Sequence, residues 1–199
     1  MIKNIIFDVG EVLLTYRWID ILMESGCSHE DAARVKKDIF SNDNWHNKFD
    51  KGFWSEKEIM ADLIEKSPED EYIYKYFFAH PEGMPVRRPA VYELLPKLKE
   101  KGYSLFILSD YSDYLSEIHF NFGGFRKYMD GEIISYKVNL VKPDIRIFER
   151  LLSDYDLDPS ECIFLDDKKE NIEGCEKAGI KGYQITSEER LIEILNSLL

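Results

Sequence analysis

The sequence predicts an α/β protein with a mostly parallel sheet and a separate helical lobe. From Pro89 to the end, short apolar runs alternate with amphipathic stretches, which is the pattern of βαβ units. An earlier apolar run, Ile2 to Asp8, is followed by about sixty residues of helical pattern, from Trp18 to Phe78. Hydrophobic residues are 44% of the chain and aromatic residues 14%, which is enough to form a hydrophobic core and argues against global disorder.

The first strand, Ile2 to Asp8, organises the predicted fold. It is an apolar run that ends in a carboxylate, as expected of a strand buried on both faces. The carboxyl ends of strands are where open α/β sheets bind their ligands, so Asp8 should lie at the mouth of a crevice. Gly10 lets the backbone approach a ligand closely. Residues 11–16 could form a tight turn and a short hairpin that leaves the sheet.

A helical block follows the first strand. Ser28 to Asp31 starts one helix, and Ser55 to Glu58 is a capping box that starts another. Glu69 to Phe78 is a third stretch, rich in Tyr and Phe. A polar segment with aromatic residues, 42–52, separates the first two helices, and the Pro and Gly content of residues 80–85 predicts a linker.

The second half of the chain alternates between helices and strands. The predicted elements, in order, are a helix through Val91 and Leu98 that ends at Gly102, a strand at 104–109, a helix at 114–120, a strand at 132–135, a helix that Pro143 starts, a strand at 161–165, a helix at 171–178, a strand at 182–185 and a helix at 188–198. We therefore expect a core domain of residues 1–15 and 87–199. Residues 16–86 should form a lobe over the carboxyl ends of the strands.

Charge and composition restrict the partners. The net charge is −12, from 26 basic and 38 acidic residues, which argues against nucleic acid or an anionic membrane surface as a partner. Cys27, Cys162 and Cys175 are far apart and without a CxxC pair, as expected of buried free thiols. No apolar run approaches the roughly 18 residues of a membrane span. Asp8 also interrupts the only apolar stretch that a signal peptide could use, so we expect a cytoplasmic protein.

Polar side chains follow the buried strands. Asp8 ends the first strand, Ser109 and Asp110 end the second, Asp166 and Asp167 follow a later one, and Lys142 precedes a helix start. In a parallel sheet these ends share one edge. Three carboxylates at close range need a cation, and oxygen ligands suit Mg²⁺. Lys142 and Ser109 would hold phosphate oxygens, which leaves Asp8 to attack phosphorus as a nucleophile.

Each motif alone has an ordinary explanation. Ser109 and Asp110 can end a strand or cap a helix, Lys142 can be a solvated lysine, and adjacent acids are common in loops. Their joint appearance, in this order and each at a strand end, indicates a functional site.

These motifs resemble those of the haloacid dehalogenase (HAD) superfamily over nearly the whole chain. The matching segments are Ile5 to Leu14, Leu108 to Asp110, Lys142 to Asp144, and Phe164 to Asp167 with Asn171. The resemblance implies a Rossmann-like core with a helical cap inserted after the first strand, and a phosphatase that forms an aspartyl-phosphate on Asp8. It implies Mg²⁺ on Asp8, on the Gly10 carbonyl oxygen and on Asp167, with Asp166 contacting the ion directly or through water. Ser109, the Asp110 N–H and Lys142 would bind the phosphoryl group, and Lys142 also counts as catalytic.

Two positions depart from the family pattern. Gly10 stands where the family usually has an acid/base aspartate, which leaves Glu11 or solvent to supply the proton. A branch that includes sugar-phosphate phosphatases resembling bacterial glucose-1-phosphatase shares this Asp-x-Gly-x-Val pattern. Asp110 stands for the usual Asn, which places a negative charge near the phosphate.

The sequence favours a Mg²⁺-dependent phosphatase acting on a small phosphorylated metabolite, with a sugar phosphate as one candidate. The alternative is a catalytically impaired relative that binds a phosphate ligand or a protein partner. A signalling receiver domain is disfavoured, because its acidic pair lies near the N-terminus and its acceptor aspartate comes later. Haloacid dehalogenation needs no metal, so the acidic pair Asp166 and Asp167 counts against it. Candidate substrate contacts in the helical lobe are Trp45, His46, Asn47, Lys48 and Asp50. The substrate and the oligomeric state stay open.

Overall fold

The computed structural model describes residues 1–199 and has a five-stranded parallel sheet at its centre. The strands are β1 (Asn4–Phe7), β2 (Leu14–Tyr16), β3 (Pro85–Arg87), β4 (Ser104–Ser109), β5 (Gly131–Ile134), β6 (Cys162–Asp166) and β7 (Lys181–Gln184). The large sheet has the order β5-β4-β1-β6-β7, and every pair in it is parallel. The predicted α/β class is confirmed.

Strand β1 lies in the middle of this sheet. Ile5 pairs with Leu105 of β4 on one side and with Ile163 of β6 on the other. The residues that follow these three strands therefore meet at one edge of the sheet, beside the end of β1. This register brings together the polar strand ends that the sequence contains.

Helices cover both faces of the sheet. They are α1 (Trp18–Met23), α2 (His29–Phe40), α3 (Glu56–Lys66), α4 (Glu71–Ala79), α5 (Pro89–Tyr92), α6 (Leu95–Glu100), α7 (Asp113–Gly123), α8 (Ser135–Val138), α9 (Ile145–Asp154), α10 (Lys169–Lys177) and α11 (Glu188–Asn196). Ile5 packs in a cluster with α5, α6, α7 and α11, whereas Ile6 packs against α9 and α10. The alternation along β1 thus divides the core into two layers.

Helices α1 to α4 lie between β2 and β3 in the chain, and β2 pairs with β3 in an antiparallel ribbon. Trp45 to Phe49 form a short π-helix, and Trp45 packs edge-on against Phe49 with ring centroids 5.0 Å apart. Phe77 and Phe78 of α4 complete this aromatic cluster. None of the helices has the length and apolar character needed to cross a bilayer. All three cysteines are free and buried.

Three local expectations differ from the structure. The helix predicted through Val91 and Leu98 is divided into α5 and α6, because Pro96 has no N–H to continue the helical ladder. The hairpin predicted within residues 11–16 is absent, since β2 takes its partner from residues 85–87, at the end of the predicted linker. The helix after Pro143 begins at Ile145, where the Asp144 side chain accepts from the N–H of Arg146.

Candidate active site

A pocket of about 190 Å³ opens at the carboxyl edge of the sheet. Its polar side comes from the strand ends and the loops that follow them, and its other side comes from β2 and the helical segment after it. Its lining includes Asp8, Gly10, Glu11, Tyr16, Trp18, Phe40, Trp45, His46, Asp50, Ser109, Asp110, Tyr111, Lys142 and Asp167. The sequence-predicted site residues that line it are Asp8, Gly10, Ser109, Asp110, Lys142 and Asp167.

Asp8 follows β1 directly and is 7% exposed. Its Oδ1 accepts hydrogen bonds from the N–H of Val9 (2.7 Å) and from Ser109 Oγ (2.6 Å), and it lies 3.0 Å from Lys142 Nζ. Its Oδ2 accepts no hydrogen bond from the protein. Burial raises the pKa of the Asp8 carboxyl, and the Lys142 charge opposes that effect. The carboxylate therefore has one fixed oxygen and one oxygen free to react.

Lys142 is the cationic centre of the site. Its Nζ lies 3.0 Å from Asp8 Oδ1 and 2.7 Å from Asp166 Oδ2, and its side chain is 1% exposed. Burial alone would lower the pKa of this ammonium, but the carboxylates of Asp166, Asp8 and Asp110 outweigh burial and hold the pKa above its ordinary value. Lys142 is therefore charged at neutral pH.

Asp166 is fully buried, and the protein uses both of its oxygens. Asn171 Nδ2 donates to both oxygens at 3.0 Å, the N–H of Lys168 donates to Oδ1 at 2.8 Å, and Lys142 donates to Oδ2. These bonds give Asp166 a clear part in the site, which is to hold Lys142 against Asp8.

Asp167 differs from Asp166, because its carboxylate has no hydrogen-bond donor in the protein. Burial, together with the charges of Asp8 and Asp166, raises the pKa of Asp167 to about 6. One carboxylate oxygen from each of Asp8, Asp166 and Asp167 lies within 4.8 Å of the others. This cluster of hard oxygen donors, with negative charge in excess, could hold a metal ion.

The turn that contains Gly10 follows Asp8 and lies beside the Tyr16 ring. A Cβ at Gly10 would lie 3.6 Å from Tyr16 Cε2 and 3.9 Å from the Tyr16 hydroxyl oxygen, so the Tyr16 ring occupies the adjacent space. Glu11 has a left-handed backbone (φ 54°). Its carboxylate accepts from Thr15 Oγ1 at 2.9 Å and from Arg88 Nη2 at 3.4 Å. Glu11 is thus already engaged by partners within the protein.

Asp110 turns its carboxylate toward the loop of Lys142. Its Oδ1 accepts from the backbone N–H of Lys142 at 3.0 Å. Burial raises the pKa of Asp110 to about 7, although Lys142 lowers it. Asp110 is therefore partly protonated at neutral pH, which reduces the charge conflict expected next to a phosphate.

Two interactions between polar groups of the site were not predicted from the sequence. His46 Nδ1 lies 2.8 Å from Asp50 Oδ2, and Asp50 is buried, so the i,i+4 spacing of a helical turn could have indicated the pair. Tyr16 and Tyr111 both line the pocket and are hydrogen-bonded in series to His119, which no sequence pattern indicated. Of the candidate contacts in the helical lobe, Trp45, His46 and Asp50 line the pocket, whereas Asn47 and Lys48 are exposed outside it.

Comparisons with known proteins agree with the motifs and the fold. The chain belongs to the haloacid dehalogenase-like hydrolase family, whose sequence model matches residues 52–185. It is 26% identical over 188 residues to the sesquiterpene phosphatase astK of Aspergillus oryzae, which covers 92% of this chain and 90% of that protein.

Solved structures share the fold. One is the HAD-family enzyme bt-2542 of Bacteroides thetaiotaomicron, crystallised as a point mutant with magnesium and inorganic phosphate. It is 22% identical, with a TM-score of 0.73, and the match covers 94% of this chain and 96% of that one. Another is the L-2-haloacid dehalogenase of Xanthobacter autotrophicus, which is 14% identical with a TM-score of 0.69 over 99% and 83% of the two chains. The similar proteins thus include a phosphatase and a dehalogenase, and the shared fold alone does not select between their reactions for this chain.

Proposed function

We propose that this hydrolase is a Mg²⁺-dependent phosphatase that acts on a small phosphate monoester through a phosphorylated Asp8. One observation carries the proposal: a buried carboxylate with a free Oδ2 lies against a buried ammonium and a hydroxyl, next to two further carboxylates. Dehalogenation would give the cluster of Asp8, Asp166 and Asp167 no evident use, because a haloacid brings no need for a cation.

Magnesium suits the donors of the site. Asp8 and Asp167 would hold the ion together with the Gly10 carbonyl oxygen, and Asp166 would contact it directly or through water. The ion would neutralise the negative charge that gathers between these carboxylates and a phosphoryl group. The enzyme crystallised with magnesium and inorganic phosphate has the same fold, which supports this assignment.

The side chains have distinct parts in the reaction. Asp8 attacks phosphorus, so that an Asp8 O–P bond forms while the P–O bond to the leaving group breaks. Ser109 Oγ and Lys142 Nζ, both within 3.0 Å of Asp8, are placed to donate to phosphoryl oxygens, as is the N–H of Asp110. Water then attacks phosphorus, the Asp8 O–P bond breaks, and the carboxylate is restored.

The outer wall of the pocket limits the leaving group. It is mostly aromatic, with Tyr16 stacked on Trp18 at 4.3 Å and with Phe40 between Trp18 and Trp45. These rings come largely from residues 16–86, which we propose to act as a cap over the core of residues 1–15 and 87–199. Such a wall suits an apolar or ring-shaped leaving group. Prenyl phosphates, suggested by the sesquiterpene phosphatase relative, and sugar phosphates are therefore the first classes to compare.

Phosphatase assays test the proposal. Wild-type protein should hydrolyse p-nitrophenyl phosphate with Mg²⁺ and lose that activity in EDTA, and a panel of sugar, prenyl and other metabolite phosphates would identify the best substrate class. Asp8→Asn keeps the shape of the side chain but removes the attacking charge, so its rate should fall by several orders of magnitude. Asp167→Ala should abolish the metal-dependent rate.

Two results would contradict the phosphatase. A wild-type protein that binds phosphate but turns over no ester would favour the catalytically impaired alternative, in which the site holds a ligand or partner. Metal-independent release of halide from a 2-haloacid would instead establish dehalogenation.

A further inference from the structure

Two buried polar side chains and one partly buried one form a chain of hydrogen bonds that ends in the pocket. The hydroxyls of Tyr16 and Tyr111 are hydrogen-bonded to each other, and the Tyr111 hydroxyl lies 3.0 Å from His119 Nδ1. His119 Nε2 lies 3.0 Å from the carbonyl oxygen of Pro81. His119 is fully buried, whereas Tyr16 and Tyr111 line the pocket and Tyr111 is 8% exposed. Neither Tyr111 nor His119 has a part in the phosphatase steps described so far.

The partners of His119 determine the direction of these bonds. The Pro81 carbonyl can only accept, so Nε2 carries the proton and donates it. Burial lowers the pKa of His119 to about 4, so the ring is neutral at pH 7 and Nδ1 has a lone pair. Tyr111 must then donate to Nδ1, and Tyr16 must donate to Tyr111. The Tyr16 oxygen consequently presents a lone pair to the pocket.

The end of this chain lies near the reacting atoms. Tyr16 Cε2 and its hydroxyl oxygen lie 3.6 Å and 3.9 Å from the position that a Cβ on Gly10 would take. Gly10 is two residues from Asp8, and the charge of Asp8 is among the causes that raise the pKa of Tyr16, after burial. The backbone of Tyr111 is fixed as well, because its N–H donates to Ser135 Oγ at 2.9 Å. The arrangement is therefore held in place at Tyr111.

Other groups at the pocket are less suited to accept a proton. Glu11 is engaged by Thr15 and Arg88, at 2.9 Å and 3.4 Å. His46 is bonded through Nδ1 to Asp50, which leaves Nε2 free to accept a proton, but the side chain beside Gly10 is that of Tyr16. His46 is kept below as the competing assignment.

We propose that Tyr16, Tyr111 and His119 form a proton relay that deprotonates the water which hydrolyses phosphorylated Asp8. This inference rests on the proposed phosphatase function. As the water oxygen bonds to phosphorus, its proton passes to Tyr16, the Tyr16 proton passes to Tyr111, and the Tyr111 proton passes to His119 Nδ1. The Asp8 O–P bond breaks, which leaves Asp8 as a carboxylate, His119 as an imidazolium and the product as hydrogen phosphate. The imidazolium then returns its proton through the same chain to the phosphate.

The basicity of the terminal group is adequate for this step. A histidine with a pKa of about 4 is as basic as an ordinary aspartate, whose pKa is near 3.9. The product hydrogen phosphate is a stronger base than this histidine, since even phosphate monoesters have a second pKa of about 6, so it takes the proton back readily. Tyr16 touches the water and is catalytic in this scheme, whereas Tyr111 and His119 act through it.

Rapid kinetics with p-nitrophenyl phosphate and Mg²⁺ test the relay. p-Nitrophenolate leaves without a proton, so Tyr16→Phe should phosphorylate Asp8 normally but hydrolyse it slowly. We expect a burst of p-nitrophenol close to the enzyme concentration, followed by a steady rate about 10²–10⁴-fold below wild type, the usual contribution of general base catalysis. Tyr111→Phe, which interrupts the chain without changing Tyr16, should show the same burst.

Tyr103→Phe is the matched control, because it also removes a tyrosine hydroxyl that donates a hydrogen bond, here to the carbonyl oxygen of Leu198 at 3.1 Å, at the opposite end of β4. It should show wild-type kinetics. A Tyr16→Phe steady rate within about threefold of wild type, or a slow rate without a burst, would overturn the relay. A burst in His46→Gln but not in Tyr16→Phe would assign the base to His46. Absence of turnover in the wild-type protein would contradict the proposed phosphatase function. That result differs from failure of the relay alone, in which the wild-type protein is active.

Discussion

Replacing Lys142 by Met should destabilise the protein strongly, because its ammonium is the only cation within the buried acidic cluster. Nζ lies 3.0 Å from Asp8 and 2.7 Å from Asp166, and the side chains of Lys142 and Asp166 are at most 1% exposed. Removing one partner of a buried ion pair costs about 3–5 kcal/mol, because the remaining charges stay desolvated. At about 2–4 °C per kcal/mol for a chain of this size, the melting temperature should fall by about 6–20 °C.

Thermal unfolding in EDTA measures this effect, and added Mg²⁺ gives a second readout. Magnesium should raise the melting temperature of Lys142→Met more than that of wild type, because the variant has lost the other cation that offsets these carboxylates. Lys168→Met is the control, since Lys168 is also a pocket-lining lysine but is exposed, and its stability should change by about 0.5 kcal/mol or less. A Lys142→Met variant within about 1 kcal/mol of wild type would refute the view that this ion-pair cluster organises the site.

Three further predictions concern single positions. Because the pKa of Asp110 is raised to about 7, its carboxyl ionises as the pH rises through 7 and then repels a phosphate dianion; the KM for p-nitrophenyl phosphate should rise above that pH in wild type but not in Asp110→Asn. His119 has a pKa of about 4 when folded and 6.5 as its ordinary value, so the unfolded chain gains the proton first as the pH falls. Stability should therefore drop by about 3 kcal/mol between pH 6.5 and 4, and urea unfolding of His119→Gln should lack this drop. Gly10→Asp should fold, because its Cβ makes only ordinary contacts, and should speed alkyl phosphates relative to p-nitrophenyl phosphate; an unchanged dependence on the leaving group would show that another group already supplies the proton.

The sheet, and the edge of it that carries the candidate site, could be predicted because their sequence signals are local. Each apolar run that ends in a polar residue became a strand, and parallel pairing alone places Asp8 beside Ser109. The division of α5 from α6 was also visible in the sequence at Pro96, but the apolar spacing through Val91 and Leu98 favoured one helix. Local sequence patterns therefore predicted the strands best, and with them the edge of the sheet at which the strand ends meet.

Other features depend on pairings that no local pattern contains. Tyr16 is hydrogen-bonded to Tyr111, which is 95 residues away in the chain, and His119 lies eight residues after Tyr111, on α7. The proposed relay can therefore form only in the folded chain. Strand β2 likewise finds its partner at residues 85–87. The assigned roles of the site residues and the cap boundaries stay predictions, as does the narrower Asp-x-Gly-x-Val branch.

Identification of the phosphorylated residue tests the central claim most directly. Wild-type protein turning over p-nitrophenyl phosphate with Mg²⁺ is quenched rapidly in acid, digested and mapped by mass spectrometry, with Tyr16→Phe included because it should accumulate the intermediate. We predict one phosphoryl group on the peptide that contains Asp8, and none in Asp8→Asn. Active enzyme that carries no phosphoryl group on Asp8 in either the wild type or the Tyr16→Phe variant would contradict covalent catalysis by this carboxylate.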